Sequence, residues 1–415
     1  MTDFLDTAVM GGGGLEAGDI LPTVRNQLVD GRTLLPCDGR AILPGSYPKI
    51  EALIQDTLSI RDPEPFGIDF ASMFKKARNG TAFLGHNLYS SNRRWVYYPD
   101  IADPNTYSPI ETNATPDYLV GLGDMSDDGS IAIIPIRENN TNYLQVYQWT
   151  GSGFTRRTVN SSDTTQERPA VTVAGDGSAA WLLDRSTGNG SSVSLRVHKS
   201  TNGGTNWTET FEAEIEVPVY GIYDADCTQD GSLIAAVGYN GNTTHIYRSN
   251  DGGITWSGQN VSSLMRLGNR IHISQTTGKI IVLRSGYVPY YLRSLDGGAT
   301  FEKEFVQTDG IMSESTVVAA YYEDERLWFL LRGSVEGSEP SRYRLAYSDD
   351  HSDSWIYCPL FEPPVTPEAS TIHVGSSEGL FIHGEQISGY ATPMLYHATF
   401  GKHTPQIPHN KIVAE

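Results

Sequence analysis

Cysteine is scarce in this chain, and its three representatives, Cys37, Cys227 and Cys358, stand far apart. Isolated cysteines build neither a disulfide framework nor a Cys-rich zinc site, so three free thiols are expected. Long apolar runs are also missing. No 18-residue apolar stretch offers a membrane-crossing helix, and the N-terminal residues lack a basic region followed by an apolar core. Neither membrane insertion nor export by that route is expected. Basic residues are outnumbered, 30 Lys and Arg against 49 Asp and Glu, for a formal net charge of −19. That balance disfavours a protein that wraps nucleic-acid phosphates. The sequence holds no His-Glu-x-x-His and no Gly-Lys-Ser/Thr phosphate loop.

What is present points to strands and turns. The chain's 415 residues include 42 Gly, 22 Pro and 22 Tyr, and 39% are hydrophobic, enough for a packed core. This composition suits many short strands better than long helices. The length accommodates one large repeat domain with an appendage, or two or three ordinary domains.

One eight-residue turn recurs. Ser249–Trp256 reads Ser-Asn-Asp-Gly-Gly-Ile-Thr-Trp, with close copies at Ser200–Trp207 and Ser294–Phe301 and a worn copy at Ser348–Trp355. The starts are 49, 45 and 54 residues apart, the interval of one supersecondary unit repeated in space. The third residue (Asn202, Asp251, Asp296, Asp350) can fold its side-chain oxygen onto backbone N–H groups. Glycines at the fifth place (Gly204, Gly253, Gly298) accept dihedrals that other residues resist. The closing aromatic (Trp207, Trp256, Phe301, Trp355) is placed to pack between units. One acid per turn supplies too few oxygens for a Ca²⁺ cage, so the turns read as structural and no metal or cofactor is expected.

A second pattern is independent of the first. Strand-like runs flank turns centred on Gly80, Gly129, Gly177, Gly231, Gly278, Glu325 and Gly379, at spacings of 49, 48, 54, 47, 47 and 54. Asn-Gly and Asp-Gly turns are strong hairpin signals. In the clearest unit Pro169–Ala174, Ala179–Asp184, Val193–Lys199 and a run from Trp207 give four strands. Seven units is the count these spacings give; six with an additional N-terminal sheet is the alternative. The last unit, Thr371–Phe400, lacks a clear fourth strand, which residues near 60–70 or 401–415 could supply.

The turns resemble the Asp-box, Ser-x-Asp-x-Gly-x-x-Trp, of sialidase-like and related β-propellers, departing from it at Asn202, Phe301 and Ser352. The resemblance implies an all-β fold in which four-stranded antiparallel blades close into a seven-bladed propeller, here over residues 65–405. Residues 1–17, with the run Gly11–Gly14, read as a flexible arm, and 406–415 as a C-terminal tail. Between them, residues 18–60 read as small strands and turns followed by a short helix over Tyr47–Ile54. Gly18-Asp19-Ile20, then Leu35-Pro36-Cys37-Asp38-Gly39-Arg40 and Tyr47-Pro48, resemble the collar-type domain of bacteriophage tail fibres. Leu34 stands where that family has Trp, and Ile50 replaces a later Leu. In the family this module serves assembly.

An enzyme reading follows from the sialidase resemblance, which implies an arginine cluster, a Tyr nucleophile and acidic partners. Arg168, Arg248, Arg293, Arg326 and Arg344, with Asp224 and Glu323, are the residues available. Nothing in the sequence gathers them, and the family's Arg-Ile-Pro signature is missing; Arg270-Ile271-His272 is a late echo. Arg248 and Arg293 directly precede box serines and read as exposed strand positions. His373, His383, His397, His403 and His409 follow no metal-ligand spacing. Asn206 and Asn242 begin Asn-x-Thr triplets that read as turn chemistry. Aromatics including Trp95, Tyr97, Tyr98, Tyr239, Tyr290 and Tyr321 suit either packing between units or stacking on sugars. No catalytic residue is therefore assigned.

Together the resemblances imply a noncatalytic structural protein of a phage virion, in the tail or a tail fibre. Residues 1–60 would attach to other tail or fibre proteins. The propeller would face a host-surface glycan or protein, or serve assembly, in an oligomeric setting. The alternatives are a sialidase-like or carbohydrate-binding Asp-box protein, and a tail nozzle component without receptor contact.

Overall fold

The computed structural model describes the backbone of thirty-three strands between Ile20 and Val413, with side chains described chiefly between residues 123 and 357. All regular structure among the described residues is β. The arm 1–17 and the helix expected over Tyr47–Ile54 lie outside the described residues.

Two compact units divide the strands. The first draws on Met1–Asp62, Ser377–Gly379 and Tyr396–Glu415, the second on Pro63–Ser376 and Leu380–Leu395. In the first unit β1 (Ile20–Pro22) and β2 (Leu34–Asp38) flank the strand Gln406–Val413, and β3 (Asp56–Ile60) pairs antiparallel with Ala398–Lys402.

In the second unit the sheets follow the chain in order. β4 (Glu64–Pro65) is set aside for the last of them. The first sheet comprises β5 (Met73–Lys76), β6 (Phe83–His86), β7 (Trp95–Tyr98) and β8 (Ser108–Ile110). The second contains β9 (Tyr118–Leu119), β10 (Asp124–Met125), β11 (Ile131–Glu138), β12 (Thr141–Trp149) and β13 (Phe154–Asn160), with β9 and β10 both paired to β11. β14 (Ala170–Val173), β15 (Ala180–Thr187), β16 (Val193–Ser200) and β17 (Thr208–Ala213) form the third. The fourth is β18 (Gly221–Cys227), β19 (Ile234–Asn240), β20 (Thr243–Ser249) and β21 (Ser257–Asn260). The fifth is β22 (Arg270–Ile273), β23 (Ile280–Leu283), β24 (Tyr290–Ser294) and β25 (Glu302–Phe305). The sixth is β26 (Ser313–Glu323), β27 (Arg326–Ser334), β28 (Arg342–Ser348) and β29 (Ile356–Tyr357). The seventh has β30 (Glu368–Gly375), β31 (Gly379–Glu385) and β32 (Met394–Lys402) as neighbours, with β4 paired to Met394 and Leu395.

Each hairpin glycine of the sequence pattern falls between or at the edges of the first two strands of one sheet. Gly129, Gly177, Gly231 and Gly278 all have φ between 65° and 71°. The acid before three of them fixes the turn: Ser130 N, Ser178 N and Ser232 N donate to Asp128, Asp176 and Asp230 at 2.9, 2.8 and 3.0 Å. Ser126 and Thr228 complete two of these turns by donating to the same carboxylates.

The first strands are also one another's neighbours. β5 lies beside β10, β10 beside β14, and the series runs through β18, β22 and β26 to β30, which lies beside β5. The order returns to its start.

The core sits between consecutive sheets. One cluster joins Trp181, Leu183, Leu195 and Val197 of the third sheet to Ile222, Ile234, Tyr247 and Trp256 of the fourth. Another joins the fourth to the fifth through Val237, Ile246, Ile271 and Phe301, and a third joins Ile281 and Tyr291 of the fifth to Phe329 of the sixth. Each large apolar side chain buried this way contributes roughly 1.5–3 kcal/mol. Trp181, 1% exposed, is the centre of its seam: Gly231 and Gly253 of the next sheet both rest on its ring, and a Cβ on either would come within 3 Å of it. Trp181→Ala should therefore cost about 3–5 kcal/mol in urea unfolding, the range for losing a buried aromatic. Leu295→Ser, at a 49% exposed position, should change stability by less than about 0.5 kcal/mol.

Candidate functional site

The recurrent turns build one geometry. Ser249 Oγ donates to Asp251 Oδ1 at 2.7 Å and accepts from Gly253 N at 2.8 Å. Asp251 also accepts from Ile254 N at 3.0 Å and Thr255 N at 2.9 Å. Ser294, Asp296 and Gly298 repeat this, with Ser294 Oγ to Asp296 at 2.8 Å, Gly298 N to Ser294 Oγ at 2.8 Å and Thr300 N to Asp296 at 2.9 Å. At Ser200 the amide of Asn202 takes the place of the carboxylate, receiving Ser200 Oγ at 3.0 Å and Asn206 N at 2.8 Å, while Gly204 N donates to Ser200 Oγ. A side-chain oxygen, not its charge, is what the turn requires. Gly253 has φ 90° and Gly298 φ 80°, conformations that a side chain resists. Ser348 is buried, while Asp350 and Ser352 lie outside the described residues.

The closing aromatics face the preceding sheet. Trp207 packs on the cluster between the second and third sheets, Trp256 on that between the third and fourth, and Phe301 and Trp355 on the next two. Trp207 Nε1 and Trp256 Nε1 donate to the carbonyls of Gly204 and Gly253 at 3.0 and 3.1 Å, which locks the rings over their own turns.

Each turn is also grasped from the sheet before it. Gln148 Nε2 donates to Gly203 O at 3.3 Å, Lys199 Nζ to Gly252 O at 3.1 Å, and Arg248 Nη1 to Gly297 O at 3.0 Å. Trp181 Nε1 shares Gly252 O at 3.0 Å. Arg293 reaches Asp353 Oδ1 at 2.6 Å and Glu304 Oε1 at 2.9 Å. Lys199, Arg248 and Arg293 each immediately precede a box serine. The expectation of plain exposed positions is corrected for Arg293, whose side chain is 11% exposed, and Arg248 is part of the seam. The signal was in the sequence: a long donor before successive boxes.

A second tie runs along the first strands. Asp124, 2% exposed, accepts Val173 N at 2.8 Å and Thr172 Oγ1 at 3.0 Å, joining the second sheet to the third. Asp224 and Asp226 accept Ile271 N at 3.1 Å and Ile273 N at 2.8 Å, joining the fourth to the fifth. Thr172 Oγ1 lies 3.3 Å from Cys227 Sγ across the intervening seam. The hairpin turns add backbone links: Asp127 N to Gly175 O, Asp176 N to Gln229 O and Gln229 N to Gln275 O.

The arginines considered for catalysis stand on different sheets and engage different partners. Arg248 and Asp224 belong to the fourth sheet, Arg293 to the fifth, and Arg326 and Arg344 to the sixth. Arg326 forks onto Asp349 and lies over the Tyr347 ring, and Arg344 lies over Tyr357. Arg168 and the side chain of Glu323 lie outside the described residues. Among the described residues no three His, Cys, Asp or Glu side chains group to hold a metal ion. Of the collar-like motif, Cys37 and Asp38 end β2, and Gly18, Asp19 and Gly39 lie outside the described residues.

No family model and no curated protein matches the chain. Among solved structures, a chain of a mitotic checkpoint complex is 11% identical with a TM-score of 0.53, over 83% of this chain and 94% of that one. A chain from a study of two prolyl endopeptidases is 11% identical with a TM-score of 0.48, over 85% of this chain and 52% of that one, so this chain spans about half its length. A chain of a nidogen/laminin complex is 9% identical with a TM-score of 0.41, over 69% and 92%. The first likeness is one of fold alone.

Two predictions follow from the turns. Partial burial pushes the Asp251 carboxyl up, but hydrogen bonds from Thr255, Ser249 and Ile254 outweigh it and hold the group at about 2; bonds led by Thr300 N hold Asp296 at about 2. Both lie below the ordinary 3.8, so their stabilisation is complete above about pH 4 and lost as the pH falls towards 2. Asp251→Asn with Asp296→Asn should lower the melting temperature at pH 7, because an amide has no second oxygen to accept Thr255 Oγ1 or Thr300 Oγ1, and should flatten its decline between pH 4 and 2. Lys199→Met and Arg248→Met should each cost about 1 kcal/mol. In a double-mutant cycle Lys199→Met and Trp181→Phe should be non-additive, because both donors share Gly252 O.

Proposed function

We propose that the chain is a noncatalytic structural protein of a phage tail or tail fibre, attached through its N-terminal module and displaying a seven-bladed β-propeller. The observation that carries the propeller reading is the neighbour order of the first strands, which runs from β5 through β30 and back to β5. First strands that lie beside those of the next unit, with the last beside the first, are what a closed set of blades requires. The box turns, the aromatics above them and the donors that grasp them lie at seams, so the repeated residues are accounted for by architecture. That supports display or assembly over hydrolysis.

The attachment half rests on Gly18-Asp19-Ile20 and Leu35-Pro36-Cys37-Asp38-Gly39, the residues that resemble the tail-fibre collar. It gains support from β1 and β2 lying in a compact unit distinct from that of the repeated sheets. A rigid propeller on such a module would offer its surface to a host glycan or protein, in the oligomeric setting of a tail.

Cryo-electron microscopy of particles from a phage that encodes the chain tests this reading. The expected map has residues 18–60 against tail or fibre subunits and the propeller turned outward. A propeller lining the tail channel would replace receptor display with a nozzle role. Mass spectrometry finding no trace of the chain in purified particles would overturn the virion assignment.

A further inference from the structure

The strand Gln406–Val413, β33, has a singular place in the topology: it is the middle strand of the sheet that contains β1 and β2. Ile412 is paired on one side with Ile20 and on the other with Leu35, and Lys411 with Leu21 and Pro36. β1 and β2 therefore belong to one sheet only through β33. All the repeated sheets are encoded between β2 and β33. Local hairpins form early, whereas pairings across such a separation wait on loop closure, and N-terminal segments leave the ribosome first. A three-residue β1 and a five-residue β2 have no ladder of their own to hold them meanwhile.

Proline placement fits this order. Pro22 and Pro36 lie on the outer strands of the sheet, where a missing N–H is tolerated. Pro408 lies in the central strand, but between the Asp38–Gln406 and Pro36–Lys411 pairs, where the register is broken. Residues 410–412, which pair with β1, contain no proline.

We propose that residues 406–413 are a completion strand: the N-terminal sheet stays open until this late segment inserts between β1 and β2. A chain without it would carry folded repeated sheets but no assembled N-terminal unit. Its consequence, that only chains synthesised through Val413 can join a particle, rests on the attachment reading above; the strand's own role does not.

Hydrogen exchange read by mass spectrometry on the full-length protein tests it. Ile412→Pro removes an N–H from the central strand. It should speed exchange of the peptides spanning β1 and β2 at least tenfold at the N–H groups that face β33, while β15 and β19 keep their protection. Ile412→Val should behave as the parent, and a peptide of residues 405–415 added to the proline variant should restore protection. Unchanged exchange in the proline variant, or a loss the peptide does not restore, would overturn the proposal. Should that variant not fold, a protease site inserted at 403–405 lets the parent fold first; cutting it and removing the strand in mild denaturant must give the same selective loss. If exchange behaves as expected yet Ile412→Pro chains still enter particles, the attachment reading falls and the completion strand stands.

Discussion

The seam between one sheet and the next is the constraint on which the second unit depends. Within a sheet the backbone ladder fixes register. Between sheets no ladder exists, and apolar faces alone would let one slide over the other, because dispersion and hydrophobic burial are non-directional. Direction comes from a few polar ties laid along the seam. Buried carboxylates of Asp124, Asp224 and Asp226 take N–H groups of the neighbouring first strand. Farther along, Gln148, Lys199 and Arg248 donate to the fourth-residue carbonyl of the next turn. Burial supplies most of the energy. Net hydrogen bonds of about 1 kcal/mol supply the alignment, and their loss would leave buried acceptors unpaired, which costs more than the bond itself contributes.

This explains why the turn is repeated so much more faithfully than the strands around it. Its serine, its acid or amide and its glycines hold a carbonyl outward at a fixed place, and its aromatic fills the space beneath. Asn202 forms the same turn as Asp251 because its one oxygen accepts both the serine hydroxyl and the backbone N–H, while the carboxylate adds a bond from Thr255 Oγ1. Phe301 replaces Trp at the cost of the indole donor, and it still packs on the cluster between the fourth and fifth sheets. Substitutions at the box are tolerated along the axis of function that each position performs, and the positions differ in what that is.

Much of the repeat was legible because its signals are local. Gly129, Gly177 and Gly231 announce hairpins through dihedrals that belong to the turn itself, and four strands in the 170–213 unit were read with their ends displaced by up to three residues. The second sheet is less regular: β9 and β10 are separate short pairings to β11. The missing strand of the last unit was sought near 60–70 or in 401–415, and β4 pairs with β32 at Met394 and Leu395. The seams were not legible. Lys199 and Gly252, or Asp124 and Val173, are about one repeat apart, and no periodicity says which polar residue looks across to a neighbour. The pattern Asp-x-Ser/Thr-x-Asp-Gly at Asp124 and Asp226 was visible, but its first acid looks like turn chemistry until the next sheet stands beside it.

The seams also bear on the chain's charge. Of 30 basic residues against 49 acidic ones, Lys199, Arg248 and Arg293 are committed to neighbouring turns, Arg196 to a buried fork on Asp184, and Arg326 to Asp349. Acids such as Asp251 and Asp296, by contrast, sit at exposed turns and stay ionised well below neutral pH. These cations are committed to seams and forks, while the carboxylates of Asp251 and Asp296 face water. A surface of that kind keeps a repetitive β protein soluble and discourages stray edge pairing. On the proposed reading it has a further consequence. Towards an anionic cell envelope the long-range field is repulsive, so contact has to come from short-range shape and hydrogen bonding, and attachment would grow stronger rather than weaker as salt screens the field.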